Sequence, residues 1–513
     1  MTDDSKEIVR KKENQEQIIS QYAAEIDQIN STLGVKNVDL YTNNVLAKNP
    51  YSGGGVLRLL NDQHMPPVSF FTCIWNMCVY FIKSFAFIFL WACKKLLFNL
   101  IKSNKVKEEG LHIVDIFILS QNVSNSEKFH DRYLSGLVEV LSKNGINYAY
   151  LPCFYKDGYS PYNWYKLYKT LKKSEHDFVT EFDLLHWSDL LKMTVFVFRY
   201  PVALIKLINR YSVDNSIKAA LSYSLKLSLK DYTLTAFVRY LVGVNLAKKY
   251  TSFKLLSYCE FQVIDKTLFK GIRDTSKGVK IYAYQQFIKY PIFMNLYISE
   301  LETNDTLPDR IIVTGDHYIP ATTRYDYMSL SIRNRKVFEI ESEISSSEIL
   351  VLLPYFEKEA ESILKLINSS CVADEKLLIK PHPTLNIEAY KNIIQDHWSI
   401  VGGDMYDFFN NTKIVITSSS GASIEAISVG ISVIVVDSEG QLPIDPMIDL
   451  GRGIIWDKVE NDLCSIYKQI SGQRTKNIGQ IKTLSDKYKQ LFFSRPTDDK
   501  VLSSFDYMGV NNE

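Results

Sequence analysis

Neither sign of charge dominates this chain. Across 513 residues Lys and Arg number 59 and Asp and Glu 58, a net charge of +1. A surface built to hold a long nucleic acid neutralises phosphates with a basic excess, so nucleic acid is not an expected partner. Cysteine is sparse and unpatterned. Cys73, Cys78, Cys93, Cys153, Cys259, Cys371 and Cys464 form no CxxC and fit no zinc spacing. An odd, scattered set of this kind implies reduced thiols in a protein facing the cytoplasm. The first residues are polar and charged, so no signal peptide is expected. What is present in quantity is apolar and aromatic: 46% hydrophobic residues, with 32 Tyr and 27 Phe. That content secures a core, and the aromatics suit both packing and stacking on sugars.

The N-terminal 35 residues are charged, and Ile18, Tyr22, Ile26, Ile29 and Leu33 recur at spacings of three and four. They make one apolar stripe on a helix, either a coiled coil joining copies of the chain or a helix lying on its own protein. A turn-rich linker follows at Lys48-Asn49-Pro50-Tyr51-Ser52-Gly53-Gly54-Gly55. Val68–Cys93 is the most hydrophobic stretch, interrupted by one charge, Lys83, and followed by Lys94, Lys95, Lys102, Lys105 and Lys107. It is long enough to cross a bilayer, and the lysines after it would keep the next domain in the cytoplasm. A central lysine costs about 2.5–3.5 kcal/mol on insertion scales, so a helix lying at the interface competes with a full span.

From Leu111 the pattern becomes alternating strand and helix. Strands are predicted at His112–Ser120, Ile146–Leu151, Phe253–Cys259, Val279–Tyr284 and Arg310–Thr314. A second series is predicted at Ile349–Leu353, Leu377–Lys380, Ser399–Val401, Lys413–Thr417, Ser432–Val436 and Gly453–Trp456. Helices are predicted at Asp131–Asn144, Glu357–Ile367, Ile387–Ile394, Ala422–Val429 and Asn477–Phe493, and the stretch from Tyr155 to about Lys249 reads as mostly helical. Such repeats build doubly wound parallel sheets. The expected organisation is a helical extension and linker over 1–60, a membrane-associated segment over 61–107, an acceptor-side Rossmann-like domain over 108–320 and a nucleotide-sugar-binding Rossmann-like domain over 321–513.

Ligands of such sheets bind beyond the C-terminal ends of the strands, and two motifs fall there. Lys380-Pro381-His382-Pro383 ends a predicted strand. The prolines hold His382 rigidly, and its imidazole suits stabilisation of a departing phosphate, with Lys380 adding charge. Thr417-Ser418-Ser419-Ser420-Gly421 ends another strand and opens a helix. Its small residues let backbone N–H groups approach an anion, its hydroxyls add donors, and the helix dipole favours negative charge. Glu425, one turn in, is placed to accept hydrogen bonds from ribose hydroxyls. For a catalytic base the expected choice is Glu260, at the end of Phe253–Cys259, and then Asp131, in Phe129-His130-Asp131-Arg132-Tyr133. Asp316 and His317 rank below them.

The His-Pro and serine stretches resemble motifs of bacterial GT-B transferases that use CMP-activated sugars, such as the sialyl-, polysialyl- and Kdo transferases of surface polysaccharides. That resemblance implies that His382 assists the leaving nucleotide phosphate and that Ser418, Ser419 and Ser420 bind it. Tyr258-Cys259-Glu260-Phe261-Gln262, Lys280-Ile281-Tyr282-Ala283-Tyr284-Gln285-Gln286 and Pro308-Asp309-Arg310-Ile311-Ile312-Val313-Thr314-Gly315 resemble an O-antigen or capsule biosynthesis family. There a histidine often stands where this chain has Gln286. Glu108-Glu109-Gly110 matches an acidic-pair-and-glycine motif by letter, but precedes the first strand. No Asp-x-Asp pair occurs in a nucleotide-sugar context, Asp183, Asp189 and Asp231 being isolated. A GT-B-like α/β fold, without metal or cofactor and with protein charges in the metal's place, is therefore expected. The expected partners are a CMP-linked sugar donor, a glycan or lipid-linked glycan acceptor and the cytoplasmic face of the inner membrane. Two rival readings are a CDP-glycerol or CDP-ribitol polymerase of the teichoic-acid type and a non-catalytic membrane scaffold.

Overall fold

The computed structural model describes residues 3–33, 38–49, 52–101, 106–119, 129–155, 160–290, 293–296, 298–302, 304–340, 347–436, 446–459 and 462–507. Its frame is two six-stranded sheets, each wholly parallel. The first contains β1 (Leu111–Leu119), β2 (Tyr148–Tyr155), β3 (Phe253–Tyr258), β4 (Lys280–Gln285), β5 (Arg310–Val313) and β6 (Asp326–Ser329), in the order β2-β1-β3-β4-β5-β6. The second contains β7 (Glu348–Leu352), β8 (Leu377–Lys380), β9 (Ser399–Ile400), β10 (Thr412–Thr417), β11 (Ser432–Val436) and β12 (Trp456–Val459), in the order β12-β11-β10-β7-β8-β9.

Period-two alternation explains why the second sheet reads as continuous apolar runs. Ile349, Val351, Ile414, Ile416 and Ile434 face one layer of core, while Leu350, Leu352, Val415, Val433 and Val435 face the other. Both faces are covered by helices, so both residue sets must be apolar. The layers are supplied by α9 (Glu357–Asn368), α10 (Gly421–Ser428), α11 (Leu463–Lys476) and α12 (Ile478–Phe492). Around the first sheet pack α1 (Asp3–Leu33), α2 (Phe70–Asn99), α3 (Ser135–Lys143), α4 (Pro161–Lys173), α5 (Trp187–Arg210), α6 (Ser216–Leu227), α7 (Leu234–Lys249) and α8 (Val263–Thr275). The chain then returns from the second lobe to the first as α13 (Asp498–Ser504), which seats Val501, Leu502 and Phe505 in the first lobe's core.

Several expectations need correction. The stripe on α1 is spent within the chain: Tyr22 and Ile26 are buried in the first lobe's core, the Tyr22 hydroxyl donates to Ser224 Oγ at 3.0 Å and Tyr211 donates to Glu25 at 2.9 Å. A coiled coil with a second copy would have to give up that burial. The extension and the hydrophobic segment are accordingly not separate units but part of the first lobe. A lobe boundary at 320 cuts off β6, which pairs with β5 and belongs to the first sheet. The predicted helix at 387–394 is one 3-10 turn, Ile387–Tyr390, and α3 starts four residues later than expected because Asp131 caps the turn before it. Finally, Cys371 and Cys464 form a disulfide, while Cys73, Cys78, Cys93, Cys153 and Cys259 are free. The end of α9 and the start of α11 meet through the fold, 93 residues apart in sequence, a proximity that no local spacing encodes.

Candidate functional site

Each doubly wound sheet has one place where the chain reverses its direction of winding, and ligands bind in the crevice there. In the second sheet it lies between β7 and β10, and in the first between β1 and β3. The ends of β8 and β10 therefore flank that of β7, so Lys380-Pro381-His382-Pro383 and Ser418-Ser419-Ser420 leave the same end of the sheet, one strand to either side of it. Tyr355, just after β7, stands beside His382 with the rings 5.5 Å apart and nearly perpendicular. Thr384 N–H donates to His382 Nδ1 at 3.3 Å, and the Thr384 hydroxyl is 2.8 Å from the same nitrogen. With Nδ1 accepting, the proton of the neutral ring sits on Nε2. Lys380 is half-buried, and burial lowers its pKa, with Asp404 opposing the fall and Arg132 of the other lobe adding to it.

Ser420 is the N-cap of α10, its Oγ accepting from Ala422 N–H at 3.3 Å. Ser418 and Ser419 are buried. Gly421 N–H donates to the Tyr290 hydroxyl at 3.0 Å, and a Cβ on Gly421 would lie 2.9 Å from Ile288 Cβ. Tyr290 and Ile288 follow β4, so the first lobe approaches the α10 N-terminus closely enough that only glycine fits. Glu425, on the next turn, is buried, accepts a hydrogen bond from the Tyr406 hydroxyl, and is bonded by the Asn334 side chain. Burial raises its pKa, against Tyr406, Arg333 and Asn334.

On the first lobe Glu260 stands at the end of β3, at that sheet's own switch point. Its carboxylate accepts from Gln262 Nε2 at 2.6 Å and from the Tyr258 hydroxyl at 3.3 Å. Burial raises its pKa, with Gln262 and Arg333 pulling it back. The loop is held rigidly. Asp265 accepts from the N–H of Glu260 at 3.0 Å and of Gln262 at 3.1 Å, and Asn295 donates to the Glu260 carbonyl at 2.6 Å. Between these anchors Phe261 is forced to φ 51°, a strained left-handed conformation for a bulky residue. Asp131 is differently employed. One carboxylate oxygen accepts from Tyr133 and Leu134 N–H at 2.8 and 3.0 Å, and the other from the Tyr150 hydroxyl at 3.1 Å. Asp131 thus has the partners of a helix-entry cap.

The sequence reading missed Arg333. It lies in the linker between the sheets, donates to the Tyr258 hydroxyl at 3.2 Å, and has its guanidinium 5.5 Å from the centre of the Tyr133 ring. Its charge acts on both Glu260 and Glu425, so one cation joins the carboxylates of the two lobes. Gln286 positions it. The fully buried amide accepts from Ile332 N–H at 2.7 Å and Arg333 N–H at 3.3 Å, and donates to the Leu330 carbonyl at 2.8 Å. Gln286 is thus a clamp on the linker. The second crossing lies alongside: Ser331 N–H donates to Ser494 O at 2.9 Å, and Ser494 N–H to Thr314 O at 2.8 Å. A Cβ on Gly315 would come within 2.2 Å of Phe492 carbonyl carbon, so the returning chain needs glycine there. Asp316 and His317 lie beside this crossing, with the His317 ring 4.6 Å from that of Phe492. Among the described residues no three His, Cys, Asp or Glu side chains are grouped to hold a metal ion.

Two parallel lobes face each other through their C-terminal strand ends, and a C-terminal helix crosses back to the first. The fold is GT-B-like. No family model and no curated protein matches the sequence. Similar solved structures include MurG of Acinetobacter baumannii, at 9% identity and a TM-score of 0.42 over 77% of this chain and 99% of that one. The UDP-GlcNAc 2-epimerase of Neisseria meningitidis bound to UDP-GlcNAc has 10% identity and a TM-score of 0.45 over 77% and 99%. The wall teichoic acid polymerase TagF has 12% identity and a TM-score of 0.39 over 84% and 96%. At these scores the likenesses carry no conclusion about activity, and the architecture rests on the strand order itself.

Proposed function

We propose that the chain is a nucleotide-sugar-dependent glycosyltransferase of bacterial surface-glycan assembly, working at the surface of the inner membrane, with a CMP-activated nonulosonic or Kdo-type acid as donor. The observation that supports this reading is that β8, which leads to His382, and β10, which leads into α10, flank β7 in one parallel sheet. An anion placed there meets the positive end of the α10 dipole, the hydroxyls of Ser418, Ser419 and Ser420, and the charge of Lys380, and gains the Gly421 N–H once it displaces the Tyr290 hydroxyl. Pro383 fixes the histidine, and Glu425 faces the ribose. As the bond from the sugar's anomeric carbon to the phosphate oxygen breaks, the electron pair leaves with CMP and His382 Nε2–H stabilises that oxygen. The acceptor hydroxyl of a glycan or lipid-linked glycan attacks and passes its proton to Glu260. A carboxyl raised by burial suits a base working near neutral pH. Glu260 is preferred to Asp131 because it follows β3 at the first sheet's switch point, whereas Asp131 is spent on capping the entry to α3.

The test is a thermal-shift panel of CMP, CDP, UDP, GDP and dTDP, followed by transfer assays. CMP is expected to stabilise the protein and to lose its effect in His382→Ala and Ser419→Ala. Glu260→Gln is expected to lower kcat by about 10²–10⁴-fold while leaving the CMP shift intact. A CDP preference would favour a glycerophosphate-type polymerase. Absence of any shift, or folded His382→Ala and Ser419→Ala variants with full transfer activity, would sink the mechanism.

A further inference from the structure

Helix α2 buries polar side chains beside its apolar contacts and leaves large apolar ones exposed. A helix of a water-soluble lobe turns its apolar stripe inward and its polar stripe outward. The residues that α2 buries are Asn76, Tyr80, Ser84, Trp91 and Lys95, on one face. Lys95 Nζ donates to the carbonyls of Phe182 and Leu185, each at 2.6 Å, and Trp91 Nε1 donates to Glu181 at 2.9 Å. The outward face carries Phe71, Trp75, Ile82, Phe85, Phe89 and Leu96, with Phe71 81% and Ile82 71% exposed. Helix α5 extends this surface with Trp187, Leu191, Val195, Phe198 and Val202, one exposed stripe at spacings of four, four, three and four. The two stripes meet where the Phe198 ring lies 5.7 Å from Phe81 and 6.0 Å from Phe85. So broad an apolar face is not an ordinary monomer surface.

Charge identifies what covers it. α2 has no acidic residue, and the one acid of α5, Asp189, is buried. The exposed charges are Lys83, Lys192, Arg199, Lys206 and Arg210, all positive. Arg199 pairs with Asp39 and Lys192 with Asp189. Lys206 and Arg210 line, with Phe198, Val202 and Ile29, a groove of about 780 Å³. A two-fold contact with a second copy would set these cations against themselves.

We propose that α2 and α5 form a monotopic platform that lies flat in one leaflet of an anionic bilayer, with the cations of α5 at the level of the lipid phosphates. The platform deepens the membrane association in the proposed function and is independent of the donor. Among the described residues α2 alone has the length and hydropathy to cross a membrane, but a spanning α2 would pull Tyr80, fully buried at mid-helix, out of the first lobe's core. It would also carry Asn76 and Ser84 into hydrocarbon without the protein that now covers them. Lying flat keeps every one of those contacts.

Vesicle flotation of the full chain tests this, using phosphatidylcholine alone and an equal mixture with phosphatidylglycerol. Stronger binding to the mixture is expected. Lys206→Ala/Arg210→Ala should weaken binding to the mixture by about 30-fold, at about 1 kcal/mol per charge, and leave binding to phosphatidylcholine unchanged. Leu191→Glu/Val202→Glu should abolish binding with α2 untouched. If that variant floats like the wild type, α2 is a span and the platform is wrong. The platform is equally wrong if the wild type binds neither vesicle, or dimerises through this face in solution. Should the double-glutamate variant not fold, brominated lipids decide. Quenching of Trp187, read as the difference from Trp187→Phe, is required for a flat platform and absent for a spanning α2. The flotation readout contains no nucleotide, so it fails or succeeds separately from the donor reading.

Discussion

Replacing Gln286 with leucine tests whether one buried amide sets the geometry between the lobes. Leucine retains most of the volume, so the change removes polarity more than packing. Two short hydrogen bonds go, to Ile332 N–H at 2.7 Å and Leu330 O at 2.8 Å, with a longer one to Arg333 N–H at 3.3 Å. Leu330 and Ile332 are buried, so their backbone groups are stranded away from water. Each stranded group costs about 1–3 kcal/mol, and two of them about 4 kcal/mol together. For a first lobe of roughly 330 residues, α1 through β6 with α13, at about 2.1 cal/mol/K per residue this lowers Tm by about 6 °C, which scanning calorimetry resolves. Gln286→Glu adds a sharper signature. It preserves the acceptor but turns a carboxylate oxygen toward the Leu330 carbonyl, so it should be destabilised at neutral pH and recover in acid as that oxygen gains a proton. A Gln286→Leu melt within about 2 °C of the wild type, or a Gln286→Glu melt indifferent to pH, refutes the clamp.

Tyr290→Phe frees Gly421 N–H, which the Tyr290 hydroxyl now occupies at 3.0 Å. At about 1 kcal/mol for a net hydrogen bond, nucleotide affinity by calorimetry should rise about fivefold, whereas a fall would mean that Tyr290 itself holds the donor. Asp265 is buried and its carboxyl is pushed up from 3.8 to about 7 by burial, with Asp115 adding to the rise. Its folded pKa is the higher one, so its contribution to stability is complete below about 4 and is lost as pH rises through about 7. Asp265→Asn should flatten denaturant stability across that window, and an unchanged slope would contradict the assignment. Cys371→Ser opens a loop of 93 residues, for which chain entropy predicts a loss of about 4–5 kcal/mol. The wild type should show the same loss in dithiothreitol, and equal denaturation midpoints with and without reductant would count against the disulfide.

What the sequence made legible was whatever its local pattern determines. β7, β8, β10 and β11 are short runs of Val, Ile and Leu because both faces of the sheet are covered, and His382 and the serines follow directly as strand-end residues. β6, Asp-Tyr-Met-Ser, was invisible because it is an edge strand, no residue of which is fully buried. β12 starts three residues later than predicted because Gly453 closes a turn onto Trp456, at 2.8 Å. Gln286 looked like a lost histidine, since its role depends on backbone groups 44 to 47 residues away. Arg333 carries no motif. Its importance comes from standing where the chain passes between lobes, which only the packed fold defines.

The charges of the cleft are already satisfied within the protein. Tyr290 covers Gly421 N–H, Tyr406 and Asn334 satisfy Glu425, and Gln262 and Tyr258 satisfy Glu260. A donor bound at α10 must therefore exchange partners with the first lobe and not simply fill space. The exchange has a defined route. Displacing Tyr290 releases the loop after β4, and the base of that loop is Gln286, which holds Arg333. Arg333 in turn donates to Tyr258, and Tyr258 donates to Glu260. Under the proposed function, donor binding on one lobe thus reaches the base on the other through four named side chains. If the route is real, Arg333→Lys, which preserves the charge but loses the planar fork, should alter the pH at which Glu260 limits the rate more than it alters nucleotide affinity. An equal loss in both would place Arg333 in direct contact with the donor instead.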